Sequence, residues 1–209
     1  MRRFKPDIQG TLVTDSLAGD VQSLECSSSI QKPLDEETAS LLAEWKTRSD
    51  NLSAFDTPRE ATYHRCALYR GSELKPGDVS FPDSLVVVGT EEVWSAVQIE
   101  GVFDVELYPE GEKEVFTLLK VRYFEEMTAD DISNDIYRRF NGMGRTVYME
   151  GGSCKKEVVP ISSVISHFAM TEMVLPRIIR RHAHILPLFR VGEIEILVVT
   201  RHTNLICVV

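Results

Sequence analysis

From residue 93 to residue 108 apolar side chains recur at every second position: Val97 and Ile99, then Phe103, Val105 and Leu107, separated by Gln98, Asp104 and Glu106. A period of two is that of a strand with one face toward a core, and Gly101, standing where the next apolar side chain falls due, predicts a bend or bulge there. Residues 109–113, with Pro109 and Gly111, supply a hairpin loop, and 115–124 pairs back. Ahead of this hairpin, Leu85-Val86-Val87-Val88 is a continuous apolar run stopped by Gly89, which predicts a buried strand. Residues 61–68 predict an edge strand, and 79–81 a short strand after the Lys75-Pro76-Gly77-Asp78 turn.

Two segments follow a helical period instead. Leu41, Leu42 and Trp45 share one face, with Glu36 and Glu37 in the first turn, which predicts an amphipathic helix over 35–48 and a linker from there to Pro58. Trp45 either anchors that helix on the β domain or meets a partner. Thr128 is placed as an N-cap before Asp130 and Asp131, and Ile132, Ile136 and Phe140 recur four apart, so a helix is predicted over 129–140, stopped by Asn141-Gly142. Residues 145–150 return to strand, Gly151-Gly152 turns the chain, and Val158-Val159 is a short strand before Pro160. Ile161, Val164, Ile165 and Phe168 then have helical spacing. Residues 193–200 and 204–209 look like two final strands.

The fold class predicted is mainly β (β-rich α+β): a barrel-like module with one inserted helix and a short N-terminal helix. Four segments make it up. Residues 1–32, rich in Ser, Asp, Gly and Thr without sustained period, form a flexible tail. Residues 33–59 carry the short helix and linker, 60–175 the β domain, and 176–209 a basic segment with a C-terminal β-hairpin.

Composition narrows the class of job. The chain has 209 residues, 43% of them hydrophobic, and a formal net charge of -9, which opposes nonspecific attachment to phosphates or anionic lipid. No apolar run reaches the roughly 18 residues a membrane helix needs. Cys26, Cys66, Cys154 and Cys207 show no metal or disulfide spacing and read as reduced thiols, which fits a nuclear or cytoplasmic setting.

Several short motifs carry a resemblance. They are Lys75-Pro76-Gly77-Asp78-Val79-Ser80-Phe81; the strand through Trp94, Val97, Ile99 and Phe103; the strand from Leu118 ending in Arg122-Tyr123-Phe124-Glu125-Glu126-Met127-Thr128; and the segment from Arg145 to Ile165 with its Val159-Pro160-Ile161. Their order, over about residues 65–175, resembles the bromo-adjacent homology domain, a barrel-like module of chromatin proteins. Tyr123-Phe124 departs from that family's usual Trp-containing pair, and Met127 stands where Pro is common nearby. Asp135 to Phe140 and Ser163 to Ala169 are also similar to uncharacterised fungal proteins associated with transposable elements, which puts a non-functional remnant among the alternatives.

What the resemblance implies is a protein-interaction module that recognises chromatin proteins or histone tails. In such a module Tyr69, Trp94, Tyr123 and Phe124 are candidates for an aromatic cage around a modified lysine, with Glu125 or Glu126 attracting the cation. The competing reading makes the same aromatics core, as single aromatics in strands usually are. Eleven acids against three bases between Glu100 and Asp135 offer a surface for a basic partner, or a solvated rim. Arg177, Arg180, Arg181 and Arg190 form a basic patch for phosphate or nucleic acid, though interleaved Ile178, Ile179, Ile185 and Leu186 argue that half of it packs. His182 and His184 lack a third metal ligand, so no metal site is predicted. Cys154 beside Lys155 and Lys156, with His167 as an imagined base, is the case for a cysteine hydrolase, but its spacing matches no hydrolase signature. The reading is a non-catalytic module with no catalytic residues and no cofactor, binding a protein partner.

Overall fold

The computed structural model describes residues 29–49, 58–90, 93–108, 113–132, 144–149, 155–173 and 180–188. Among these residues twelve strands and two α-helices form, in the order β1 (Ser29–Pro33), α1 (Glu36–Arg48), β2 (Glu60–His64), β3 (Ala67–Tyr69), β4 (Ser72–Leu74), β5 (Leu85–Gly89), β6 (Trp94–Leu107), β7 (Glu114–Tyr123), β8 (Glu125–Glu126), α2 (Ala129–Ile132), β9 (Arg145–Tyr148), β10 (Lys156–Pro160), β11 (Val164–Met173) and β12 (His182–Pro187). Ten strands join one sheet in the order β1-β2-β6-β5-β11-β12-β9-β8, with β7 pairing both β6 and β10, and every pairing is antiparallel. β3 and β4 make a separate hairpin. The mainly β expectation is met, but among the described residues the sheet is not closed into a barrel. β8 ends the order and follows β7 with only Phe124 between, whose N–H donates to Ala96 O at 3.1 Å.

The long strand β6 shows how the pattern becomes packing. Its register against β7 shifts between Ile99 and Gly101, the bulge predicted at Gly101. Before the bulge Val97 and Ile99 face a cluster shared with Val86, Val88, Leu119 and Val121; after it Val102 does so, while Phe103, Val105 and Leu107 turn to a second cluster. One extra residue thereby reverses which positions point to which side. β5 is buried on both faces, with Val86 and Val88 in the first cluster and Leu85 and Val87 in a third, which explains its unbroken apolar text.

Helix α1 covers the second cluster. Asp35 is its N-cap, accepting from Thr38 N–H at 2.8 Å, and Leu42 and Trp45 insert beside Phe103 and Val158. Trp45 therefore packs, edge-on to Phe116 at 5.8 Å. Ion pairs stitch the helix down: Glu37 meets Lys120 and Lys156, and Arg48 Nη1 lies 2.8 Å from Glu157 Oε1.

Several expectations need correction. The tail does not extend to residue 32, because Ser29–Pro33 pairs with β2, Ile30 opposite Tyr63. For the same reason β2 is no edge strand: β1 lies on one side of it and β6 on the other. The predicted strand at 79–81 is a turn, in which Val79 and Ser80 N–H both donate to Pro76 O. The helical spacing at 161–168 resolves into a single 3-10 turn, Ile161–Ser163, and then β11. Cys66 is not a thiol but is disulfide-bonded, and Cys26, Cys154 and Cys207 lie outside the described residues. Residues 133–140 of the predicted helix, 109–112 of the predicted hairpin loop, and the segments at 193–209 predicted as strands also lie outside the described residues, whereas a helical turn forms at Ala129–Ile132.

Candidate functional site

Where the sheet order ends, β8 pairs with β9 so that Glu125 stands opposite Tyr148 and Glu126 opposite Val147. The next strand in the order is β12, and Arg180 lies two residues before it. Arg180 Nη1 and Nη2 donate to Glu125 Oε1 and Oε2 at 3.0 and 2.6 Å, a two-pronged pairing of planar groups. The same guanidinium sits 3.7 Å from the centre of the Tyr148 ring. Tyr148 is only 2% exposed, packs on Met127 with Met173 alongside, and donates its hydroxyl hydrogen to Asp131. The hydrogen bonds from Arg180 hold the Glu125 carboxyl below its usual range, with the Arg180 charge adding to them.

A second unit of the same kind lies on the opposite face of the β8–β9 pair, since Glu125 and Glu126 are consecutive in one strand. Arg145, the first residue of β9, stacks 4.2 Å from the Trp94 ring centre and donates to Glu126 Oε1 at 3.0 Å and to Trp94 O at 3.3 Å. Two carboxylates adjacent in sequence thus each share a guanidinium with an aromatic ring. Each such cation–ring contact is worth about 0.5–2 kcal/mol.

The four aromatics singled out from sequence do not converge. Tyr69 is in the first cluster and Tyr123 packs against it, whereas Trp94 and Phe124 pack against the third, Phe124 edge-on to Phe168 at 6.0 Å. Tyr123 and Phe124 are neighbours in an extended chain and point to opposite sides. Cations of the chain lie over three of these rings: Arg70 over Tyr69, Arg145 over Trp94 and Lys155 over Tyr123. Tyr123 also donates to Glu157 Oε2 at 2.6 Å; burial, with that carboxylate, pushes its phenol well above the ordinary value.

Of the basic patch, Arg180 pairs with Glu125 and Arg181 with Glu172 at 2.9 Å, while Arg177 and Arg190 fall outside the described residues. So does Cys154, the imagined nucleophile. His167 Nδ1 lies 3.2 Å from Leu85 O, and His182 is buried with Nδ1 2.9 Å from Arg180 O. Among the described residues no group of three or more His, Cys, Asp or Glu side chains is placed to hold a metal, and no helix is long and apolar enough to cross a membrane.

Sequence reasoning picked Glu125, Trp94 and Arg180 but missed Tyr148, Asp131 and Arg145. The strand prediction at 145–150 held both Arg145 and Tyr148. What it lacked was the register that sets Tyr148 opposite Glu125, a relation between strands that no local pattern encodes. No protein-family model matches the chain, and no curated protein and no solved structure matches it at a significant level.

Proposed function

We propose that the chain is a non-catalytic protein-interaction module of the bromo-adjacent homology type, nuclear in setting, that recognises basic segments of chromatin proteins such as histone tails. The observation that carries this reading is the aromatic–carboxylate unit of Tyr148 with Glu125 at the β8–β9 end of the sheet, repeated on the other face of the same strand pair by Trp94 with Glu126. Acidic and aromatic groups together offer a basic peptide both charge and a stacking face. The net charge of -9 favours approach of such a partner over approach of nucleic acid. Phosphate contact through the basic patch has less support, because Arg180 and Arg181 are already matched by Glu125 and Glu172. The Cys66 disulfide weighs against a reducing compartment and is the observation least at ease with a nuclear setting.

A pulldown with unmodified and modified histone peptides tests the reading, using Trp94→Ala as control. Retention of at least one peptide, weakened about tenfold by the substitution, is the expected result, equivalent to losing one stacking contact of about 1.4 kcal/mol. Equal absence of binding for every peptide would overturn it.

A further inference from the structure

The chain already holds a guanidinium of its own in the geometry that a foreign one would require. Glu125 presents both carboxylate oxygens to Arg180, and the Tyr148 ring supplies the face on which the guanidinium lies at 3.7 Å. Asp131, bonded to the Tyr148 hydroxyl, adds a second negative charge to the seat. That combination of a two-oxygen fork with a flat ring selects a planar guanidinium over a compact ammonium, which can neither fork nor stack as well.

The occupant is held at the surface. The side chains of Arg180 and Glu125 are each 40% exposed, so water and a competing ligand reach the contact and can take over its hydrogen bonds as the pair parts. The backbone next to Arg180 is fixed independently, since His182 pairs with both Tyr148 and Met173, and Arg181 O accepts from Met149 N–H at 2.9 Å. Arg180 can therefore leave by rotating its own side chain while the strands stay paired. The seat would remain, because Tyr148 is held by Met127 and Asp131 and Glu125 by the β8–β9 pairing.

We propose that the Glu125–Tyr148 seat is a binding site for an arginine side chain of a basic partner peptide, and that Arg180 is an internal ligand that occupies it and must be displaced. The inference rests on the interaction reading above and names the side chain that would be recognised. An internal occupant lowers the apparent affinity of an external ligand by the fraction of molecules in which the seat is open. Removing it raises that affinity without adding any contact.

The test titrates the isotope-labelled full chain with acetyl-Gly-Arg-Gly-amide and, separately, acetyl-Gly-Lys-Gly-amide, following amide shifts at Glu125 and Tyr148. Arg180→Ala is expected to bind the arginine peptide about tenfold more tightly than the unsubstituted chain, with a smaller gain for the lysine peptide. Adding Glu125→Gln to Arg180→Ala should abolish the gain. Arg180→Lys, which keeps the charge but not the fork, should give an intermediate increase, and it serves as the deciding variant if Arg180→Ala does not fold. An unchanged affinity in a folded variant, or an equal gain for both peptides, would overturn the proposal. If the substituted chain gains affinity for the arginine peptide while no histone peptide is retained in the pulldown, the seat stands and the chromatin reading fails. The reverse pattern removes the internal ligand and leaves that reading intact.

Discussion

Glu157 shows how a single side chain ties elements together. Burial pushes its carboxyl upward, yet hydrogen bonds from Lys155, Tyr123 and Arg48 outweigh that and hold it below its ordinary value of 4.5. A depressed folded-state value means the stabilisation is fully present above the unfolded value and is lost as pH falls through the folded one. Stability measured by urea unfolding should therefore decline as pH drops below about 4.5, and Glu157→Gln should flatten that decline while costing about 1–3 kcal/mol at pH 7 for the charged hydrogen bonds removed. A variant as acid-sensitive as the parent would show that other carboxylates carry the effect. Tyr123 works at the opposite end of the scale. Its raised phenol contributes stability that is intact below about 10 and lost as pH rises toward the folded value, so Tyr123→Phe should blunt alkaline unfolding. Gly89 is a residue-scale constraint of another kind: its φ is 125°, and a Cβ there would lie 2.4 Å from Val93 O. Gly89→Ala should cost more than about 1 kcal/mol in the same urea assay, since both strain and a clash with backbone are incurred.

At the scale of elements, α1 is the cleanest case of pattern becoming structure. Its bounds, acidic first turn and apolar face were all legible in Leu41, Leu42 and Trp45, because an amphipathic period survives whatever the helix docks on. Leu42 is fully buried in the second cluster, and Leu42→Ala should destabilise by about 2–5 kcal/mol in urea unfolding. A loss below 1 kcal/mol would mean that the helix is not part of the cooperative unit. The β6 bulge was legible too, since Gly101 interrupts the row of apolar side chains at the position where the next one falls due. The segment after Pro160 was not. Val164 and Phe168 stand four apart, a spacing that fits one helical face and one strand face equally, and the register shift between Val164 and Ser166 sends Val164 to the first cluster and Phe168 to the third. The β-branched richness of Val158, Val159, Ile161, Val164 and Ile165 was the signal that favoured strand over helix there. β1 escaped notice for a different reason: all five of its side chains are exposed, so it joins the sheet through its backbone and leaves no hydrophobic pattern to read.

For the whole molecule the same limit recurs over longer distances. Three apolar clusters divide around β5, β6 and β7, and the candidate seat is assembled from residues 125, 131, 148 and 180, which meet only because β12, β9 and β8 are consecutive in the sheet. The disulfide at Cys66, in the turn between β2 and β3, belongs to this scale as well. Wide spacing among the four cysteines gave no sign of it, as connectivity cannot be deduced from spacing alone. A cross-link of this kind restricts the unfolded chain and typically contributes about 2–4 kcal/mol. Unfolding of the purified chain should accordingly shift to lower urea on adding dithiothreitol, and Cys66→Ser should show the lower midpoint with or without reductant. Peptide mapping under non-reducing conditions would identify which of Cys26, Cys154 and Cys207 is joined to Cys66. A midpoint indifferent to reductant, with Cys66 recovered entirely as thiol, would instead return the protein to the reducing setting that its composition first indicated and remove the main physical objection to a nuclear role.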